Sequence, residues 1–212
     1  MSQINFDYFL DDVVPSVIGA EIPLILLHIR NAAIRFCEKS WAWQLDGLPI
    51  DVIGSEPTYP LVSPSDQAEI VKIMSVKLNG KLLDVSSLPA IEAVYHDSSY
   101  RKGNPHSYWQ DYVEQLNLFP MPDFSKEAGL TYRMALRPSR TAEGMDGSVA
   151  KRYFDAISDG AKASLFEIPN KPWSDGQASS FHSQRFNVMA THAQTEVMRG
   201  LGRGPIRVVG HT

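Results

Sequence analysis

Cysteine is nearly absent from this sequence, which contains only Cys37 among its 212 residues. One cysteine cannot form a disulfide within the chain, and it excludes a metal site built from several thiolates. Long apolar runs are absent too, because the segment from Ile22 to Ile29 is soon interrupted by Arg30 and is too short to cross a bilayer. The amino terminus lacks a basic region followed by an apolar stretch. These absences predict a protein that is cytosolic at synthesis.

An excess of positive charge is also missing, since the net charge is −4 and the isoelectric point is near 5.8. Bulk charge therefore gives no reason to expect strong nonspecific DNA binding. The charge is uneven along the chain, because no lysine or arginine precedes Arg30 and no acidic residue follows Glu196. The two ends of the chain are therefore acidic and basic, respectively.

Recognisable catalytic and ligand-binding motifs are not found. The sequence has no glycine-rich phosphate loop followed by Lys-Ser or Lys-Thr, no nucleophile elbow and no HExxH motif. None of its histidines has the four-residue spacing of metal ligands on a helix, so surface or capping roles are predicted. Two carboxylate pairs, Asp111 with Glu114 and Glu38 with Asp46, are interpreted as solvated charges. We therefore predict no catalytic residue, no metal ligand and no cofactor.

The longest periodic segment, from Leu24 to Trp43, predicts an amphipathic core helix. Its main apolar stripe consists of Ile22, Ile25, Leu26, Ile29, Ala33, Phe36 and Cys37. A second and narrower apolar line repeats every seven residues, as in helices that pack against a partner. This second line, here called the seam, consists of Leu27, Ile34 and Trp41. Helices of the same chain or a neighbouring subunit could cover the seam, and the sequence leaves both arrangements open.

Between Leu45 and Pro138 the pattern changes to short β-prone runs separated by turn residues. The clearest hairpin flanks Asn79-Gly80, a dipeptide that tolerates the positive φ angles of a tight turn. Strands that are this short and this regularly interrupted predict an antiparallel sandwich or a barrel-like module.

Helical patterns return in the last third of the chain. Apolar residues at four-residue steps predict a helix from Val149 to Phe166. The run from Ser174 to Gln177 fits a capping box, with Ser174 as the N-cap, and it opens a predicted helix that ends near Leu201. Residues 203–212 show no partner pattern of their own, so we expect a tail that is flexible or borrowed by another chain.

The order of these elements predicts an α+β fold. Because the helices at the two ends of the chain are each apolar on one side, we expect them to pack together as a helical bundle. The predicted domains are a bundle of residues 1–44 and 139–202, an inserted antiparallel β-sandwich or barrel-like module of residues 45–138, and a flexible C-terminal tail of residues 203–212.

Several motifs in succession resemble a known family. They are IRNAAIRFCEKSWAWQ at 29–44, GNP at 103–105, SYW at 107–109, LNLFPMP at 116–122, LTYRMALRP at 130–138 and KP at 171–172. Their order resembles that of the head-to-tail adaptor proteins of tailed bacteriophages, of the tail tubular protein A type found in short-tailed phages. The resemblance covers the chain from Pro23 to about Leu201.

The resemblance implies a non-enzymatic virion protein whose copies form a ring, usually a dodecamer, between the portal and the tail nozzle, lining the DNA exit channel. Implied partners are the portal protein, the tail nozzle protein and, in some phages, tail fibres, with passing contact to genomic DNA and none to a membrane. The implied location is the neck of the virion, after synthesis in the host cytoplasm. The C-terminal tail is short and rich in glycine, which argues against a long C-terminal arm that wraps around a partner.

Two sets of residues are predicted to make the contacts of this assembly. The basic end of the chain lacks internal partners, so we predict that Arg199, Arg203 and Arg207 dock on the portal. The seam of Leu27, Ile34 and Trp41 is the predicted contact between subunits of the ring.

Two other functions remain open. A carbohydrate- or polymer-binding β module on a helical scaffold, with or without hydrolase activity, would be a stable monomer that exposes an aromatic platform beside a carboxylate pair. Its candidate aromatic residues are Tyr100, Tyr108, Trp109 and Tyr112, for which a place in the β-sheet core is favoured. A DNA-binding head-completion factor would instead bind duplex DNA with a strong dependence on salt.

Overall fold

The computed structural model describes residues 2–94 and 101–200. These residues form a mixed α+β fold with six α-helices and several sheets whose strands are mostly antiparallel. The predicted α+β class is therefore confirmed. Contacts within the chain divide these residues into two compact units. The helical unit comprises residues 2–43, 66–69 and 136–200, and the β unit comprises residues 44–65, 70–94 and 101–135.

The helices differ greatly in length, and the two longest, α2 and α6, contain 19 and 24 residues. No helix of the described ranges is both long and apolar enough to span a membrane. The α-helices are α1 (Leu10–Val13), α2 (Ile22–Ser40), α3 (Leu88–Val94), α4 (Gly147–Arg152), α5 (Phe154–Phe166) and α6 (Gly176–Arg199). Two short 3-10 segments, Phe6–Phe9 and Val14–Ser16, flank α1.

The strands are mostly short. They are β1 (Gln3–Asn5), β2 (Gln44–Asp46), β3 (Ile50–Val52), β4 (Thr58–Pro60), β5 (Ala68–Leu78), β6 (Lys81–Leu82), β7 (Asp84–Val85), β8 (Lys102–Gly103), β9 (Ser107–Trp109), β10 (Gln115–Phe119), β11 (Met121–Pro122), β12 (Lys126–Pro138) and β13 (Gly144–Asp146). One sheet has the order β2-β12-β5-β6, with β3 also on β12, and another has the order β4-β10-β9-β7. The pairs β1 with β13 and β8 with β11 form separate ribbons.

The predicted hairpin at Asn79-Gly80 is confirmed. Lys77 faces Leu82 and Leu78 faces Lys81 across the turn. Both turn residues have positive φ angles, 50° at Asn79 and 81° at Gly80, as a tight two-residue hairpin turn requires. Local sequence alone is therefore enough to set the register of β5 against β6.

The core of the helical unit is built where α2, α5 and α6 pack on one another. Phe36 on α2 lies with its ring 4.9 Å from that of Tyr153 and 6.4 Å from that of Phe186 on α6. Phe9 stacks on Phe154 at the start of α5, with ring centroids 5.2 Å apart. Each buried aromatic ring of this kind contributes about 1.5–3 kcal/mol to stability through removal of its surface from water.

Gly160 on α5 allows the three helices to approach this closely. A Cβ atom at this position would lie 2.7 Å from Phe186 of α6 and 3.1 Å from the Cβ of Ala32 on α2. Real carbon atoms do not pack that closely, so a larger residue would push α6 or α2 away.

The predicted helix from Val149 to Phe166 is wrong as a single element, because the chain forms α4 and α5 with Tyr153 between them. Tyr153 has φ −116° and ψ 29°, which is not helical. Its ring packs on Phe36 and its hydroxyl lies 3.3 Å from Glu196 Oε2 on α6. These contacts hold Tyr153 in place, whereas the apolar spacing alone is compatible with an unbroken helix.

The predicted capping box of α6 is wrong by one residue. Asp175 is the N-cap, and its Oδ1 accepts hydrogen bonds from the backbone N–H groups of Gln177 (2.9 Å) and Ala178 (3.0 Å). The Ser174 hydroxyl accepts a hydrogen bond from the backbone N–H of Lys171 (2.8 Å) and donates one to the carbonyl of Ile168. Ser174 therefore closes the preceding turn and is not free to cap the helix.

A short strand precedes α1 at the amino terminus. Residues Gln3–Asn5 form β1, in which Ile4 faces Met145 of β13. This strand needs Gly144, because a Cβ there would lie 2.3 Å from the carbonyl oxygen of Ile4. Pairing with a distant strand therefore fixes these three residues.

Candidate interaction surface

Helix α6 is the most exposed long element of the helical unit. Only Phe186, Ala190 and Ala193 are buried among its 24 residues. At about 100° per residue, these three define a narrow stripe on one side of the helix. The opposite side is here called the outer face and ends at Arg199; its other residues are uncharged: Gln177, Ser180, Phe181, Gln184, Val188, Thr191, Thr195 and Met198.

The outer face presents apolar groups to its surroundings. Phe181, Val188 and Met198 are 56%, 60% and 66% exposed. The hydroxyl of Thr191 donates to the carbonyl of Asn187, and that of Thr195 to the carbonyl of Thr191, each at 2.9 Å. These two hydroxyl groups are therefore satisfied by the helix backbone. Because solvent-facing sides of helices normally carry charges, this composition favours contact with another protein surface.

Two cations of α2 lie where this helix contacts α6. Arg35 donates from Nη2 to the carbonyl of Gly160 at 3.1 Å, and Lys39 donates from Nζ to Asn187 Oδ1 at 2.5 Å. Both cations also lie over the ring of Phe186, at 5.7 Å and 5.6 Å from its centre. These contacts hold both positive groups in place at the surface.

A buried carboxylate fixes α6 against α5. The side chain of Asp159 on α5 is 5% exposed, and its Oδ1 lies 2.6 Å from His182 Nδ1. Its Oδ2 lies 3.2 Å from Arg185 Nε, and the ring of Phe166 stacks on His182 at 5.6 Å. A buried carboxylate needs such partners, so the cluster sets the rotation of α6 about its axis.

The prediction of a surface or capping role is therefore wrong for His182. Nothing in the sequence pairs it with Asp159, because the two residues lie 23 positions apart on different helices. The outer face could have been predicted from the sequence, because uncharged residues recur there at steps of three and four residues from Gln177 to Met198.

The seam predicted on α2 is only partly at the surface. Leu27 is 46% exposed, but Ile34 is 6% exposed and belongs to the core of the chain. Trp41 lies beyond the end of α2, in a left-handed conformation with φ 53°, so the helical spacing does not continue to it. Ile34 therefore offers little surface to another subunit, and the predicted contact of Leu27, Ile34 and Trp41 with another subunit stays a prediction.

Of the three arginines predicted to dock on the portal, only Arg199 lies among the described residues. Arg199 is the last residue of α6 and is exposed. Arg203 and Arg207 lie outside the described residues. The structure brings Arg199 to the end of the outer face, one position beyond Met198.

In one of the two carboxylate pairs of the sequence, Glu38 with Asp46, both residues bind arginine. Arg137 contacts Glu38 and Glu69, and these hydrogen bonds raise its pKa although burial opposes its charge. Asp46 accepts two hydrogen bonds from Arg133, at 2.7 Å and 3.1 Å. The hydrogen bond from Arg133 is the main cause of the lowered pKa of Asp46. Glu38 and Asp46 are therefore held as charge partners within separate clusters.

Two further titratable groups of α2 are shielded from water. Burial raises the pKa of the Cys37 thiol, which is fully buried, so its predicted role as a small core residue is confirmed. His28 Nδ1 lies 2.8 Å from Ser164 Oγ on α5. Burial, and next to it the charge of Arg35, lowers the pKa of His28.

The β unit contains a mainly apolar pocket of about 490 Å³ that includes Leu48, Val62 and Tyr132 in its lining. Gly47 lies at its edge, where a Cβ would be 2.1 Å from the Tyr132 ring. Within residues 2–94 and 101–200, no group of three histidine, cysteine or acidic side chains is arranged to hold a metal ion. Tyr108 is 3% exposed, as expected for a residue of the β-sheet core.

Comparison of the sequence with protein-family models finds no match. Comparison with curated proteins finds none either.

Proposed function

We propose that this protein is a structural virion protein, a head-to-tail adaptor whose copies form a ring between the portal and the tail nozzle. The ring is a dodecamer and lines the DNA exit channel. In this proposal the helices of the two chain ends form a bundle that builds the ring wall, and residues 45–138 form an inserted antiparallel β-sandwich or barrel-like module. The order of motifs between residues 23 and 201 supports this assignment.

The outer face of α6 is the observation that carries the proposal. A subunit of a ring must contact one neighbour through one surface and the other neighbour through a different surface. An uncharged helix face with Phe181, Val188 and Met198 exposed is suited to such a permanent contact. It replaces the seam of α2 as the main candidate for subunit packing.

The proposal gives the protein no enzymatic role. Glu38 and Asp46, one of the two carboxylate pairs in the sequence, are each bound by an arginine. Paired carboxylates of this kind fit a structural protein better than a hydrolase. The carbohydrate-binding alternative has less support, because Tyr108 is buried and only Tyr112, at 72%, is largely exposed among its described aromatic candidates.

The proposed partners follow from the same assignment. The basic end of the chain, with Arg199, Arg203 and Arg207, docks on the portal protein, and the opposite side of the ring meets the tail nozzle protein and, in some phages, tail fibres. Genomic DNA passes through the channel without lasting contact. The protein acts in the neck of the virion after synthesis in the host cytoplasm.

Mixing the protein with a purified portal ring of its phage tests the proposal directly. We expect electron microscopy to show a second ring stacked on the portal, with both rings centred on the same axis. A chain that ends at Leu201 should fold normally, judged by circular dichroism, but fail to bind the portal. Normal binding by this truncated chain would show that the basic tail is not the docking element. Absence of any added ring with the full chain would refute the adaptor function.

The same mixture tests the outer face. The double substitution Phe181→Asp and Val188→Asp should prevent ring formation while leaving the monomer folded, since both side chains are exposed. The matched control is Ile53→Asp with Val62→Asp, which adds the same charge at exposed positions of the β unit, 54% and 71% exposed. Rings formed equally well by both variants would exclude the outer face from subunit packing.

A further inference from the structure

The helical unit carries two cations that no acidic residue neutralises. Arg35 and Lys39 lie one turn apart on α2, and their hydrogen-bond acceptors are a carbonyl and an amide oxygen. Neither forms an ion pair with an acid in the part of the chain that the structure describes. Both are exposed, and Lys39 reaches the border of the outer face of α6 through Asn187, four residues before Thr191. Two fixed, uncompensated charges at an apolar face favour an acidic binding partner.

The amino-terminal segment of the same unit offers the complementary pattern. Asp7 and Asp11 are exposed and lie four residues apart. Neither forms an ion pair among the described residues, although the adjacent Asp12 binds Lys162 at 2.9 Å. Tyr8 lies next to Asp7 and is 45% exposed. The segment therefore presents two carboxylates and an apolar ring, the counterpart of two cations beside an apolar helix face.

The acidic segment is fixed to the unit and is not a loose terminus. Phe9 is fully buried and stacks on Phe154 of α5. The ion pair of Asp12 with Lys162 ties the segment to α5 two turns further on. A surface that is already ordered loses little conformational entropy when it binds.

The acidic and basic surfaces lie on different sides of α5. Lys162 holds the acidic segment and Gly160 holds Arg35. At about 100° per residue, these two positions of α5 are about 160° apart around the helix axis. The two surfaces therefore cannot neutralise each other within one chain. Two complementary patches on different sides of one molecule are what a head-to-tail contact between copies requires.

We infer that Arg35 and Lys39, with the outer face of α6, bind the amino-terminal segment of a second copy of this chain. In this contact Asp7 and Asp11 of the second copy meet the two cations, and Tyr8 of that copy packs on the uncharged face. The inference rests on the proposed ring and names the surfaces through which neighbouring subunits meet.

Charge reversal tests the inference on the full chain. Sedimentation equilibrium over a range of protein concentrations measures self-association at low and at high salt. Arg35→Glu with Lys39→Glu should weaken association by about tenfold or more, and Asp7→Lys with Asp11→Lys should do the same. The chain that carries all four reversals should recover association, because the charges are complementary again. Such recovery would not follow from damage to the fold.

Controls separate this contact from general charge effects. Lys151→Glu with Lys171→Glu changes the net charge by the same amount at exposed positions that belong to neither surface, and it should leave association unchanged. Lys39→Glu alone retains the hydrogen bond of Arg35 and provides a milder variant if the double substitution does not fold. An equimolar mixture of the two doubly reversed proteins should associate, although each alone should not.

The outcomes judge the inference and the proposed function separately. Association that resists both reversals, or that the four-site variant fails to recover, overturns the inference and leaves the ring intact as a proposal. A wild-type chain that stays monomeric at every concentration also overturns it. The adaptor function itself is refuted only by the absence of an added ring on the portal.

Discussion

The helical unit and the β unit are stabilised in different ways. In the helical unit, side-chain contacts that are largely shielded from water tie distant elements together, such as Asp12 with Lys162 at 2.9 Å and Asp159 with His182 at 2.6 Å. The ion pair of Arg133 with Asp46 in the β unit is more than half exposed on both sides, and exposed pairs of this kind add little stability. The β unit depends more on strand pairing and on close packing at a few positions.

The two units also differ in how they expose apolar residues. In the β unit the exposed ones are scattered over loops and strand ends, including Leu48 at 84% and Val85 at 75%. Isolated exposed residues of this kind are ordinary. In α6 of the helical unit they share one uncharged face. The arrangement of exposed apolar residues, more than their number, is therefore what supports the helical unit as the proposed contact surface.

The sharpest test of this comparison separates the two sides of α6. Phe186→Ala removes a ring that is 5% exposed and in contact with Phe36. We expect the free energy of unfolding, measured in urea, to fall by about 3–5 kcal/mol. Val188→Ala on the outer face should change it by less than about 0.5 kcal/mol. Equal losses would mean that the outer face is covered within the chain, which would remove its availability to a second copy.

The second prediction concerns the β unit. Gly47→Ala places a methyl group 2.1 Å from the ring of Tyr132, so the ring or the strand must move. We expect a loss of about 1–3 kcal/mol in the free energy of unfolding.

Gly54→Ala is the control for Gly47 in the same unit. Its nearest neighbours would be 3.5 Å away, at Phe124 and Ser125, which is ordinary contact distance. Its stability should match that of the wild type within about 0.5 kcal/mol. If Gly47→Ala were also neutral, Tyr132 would not be closely packed against Gly47.

The third prediction makes the equivalent change in the helical unit. Gly160→Ala brings a Cβ to 2.7 Å from Phe186, but alanine gains about 1 kcal/mol over glycine in a helix. The net loss should therefore be smaller than at Gly47, about 1–2 kcal/mol. Gly176→Ala at the start of α6, where no atom lies within 4 Å of the new Cβ, should be neutral or slightly stabilising. A stabilising Gly160→Ala would show that α6 can move outward at no cost.

Local patterns predicted the elements that depend on few residues. The Asn79-Gly80 turn was predictable because its positive φ angles restrict the residues that can form it. Helix α2 and the burial of Cys37 followed from a stripe at helical spacing. The α+β class followed from the change of period between these segments. In each case the determining interactions lie within a few residues along the chain.

Features that depend on distant residues were not predictable in this way. Ile34 shares the spacing of Leu27, yet tertiary packing buries one and leaves the other exposed. The pairing of Asp159 with His182 requires the rotation of two helices to be known. The break at Tyr153 depends on partners from α2 and α6. Contacts of this kind determine which side of α6 and which residues of α2 are exposed. The sequence therefore identified the helices of the candidate interaction surface more readily than the residues exposed on them.

The smallest expected effect is a pH dependence that belongs to α2. Because burial and the charge of Arg35 lower the pKa of His28 in the folded chain, the unfolded chain binds the proton more strongly, near the ordinary value of about 6.5. Stability should therefore fall as the pH drops through that value, and stop falling below the folded pKa. Urea midpoints at pH 7.5 and pH 5.0 should differ less for His28→Gln than for the wild type. His192→Gln, at an exposed position of α6, should keep the wild-type difference. The same difference in all three proteins would mean that His28 titrates as if exposed, and that α2 is less tightly packed on α5 than its contact with Ser164 indicates.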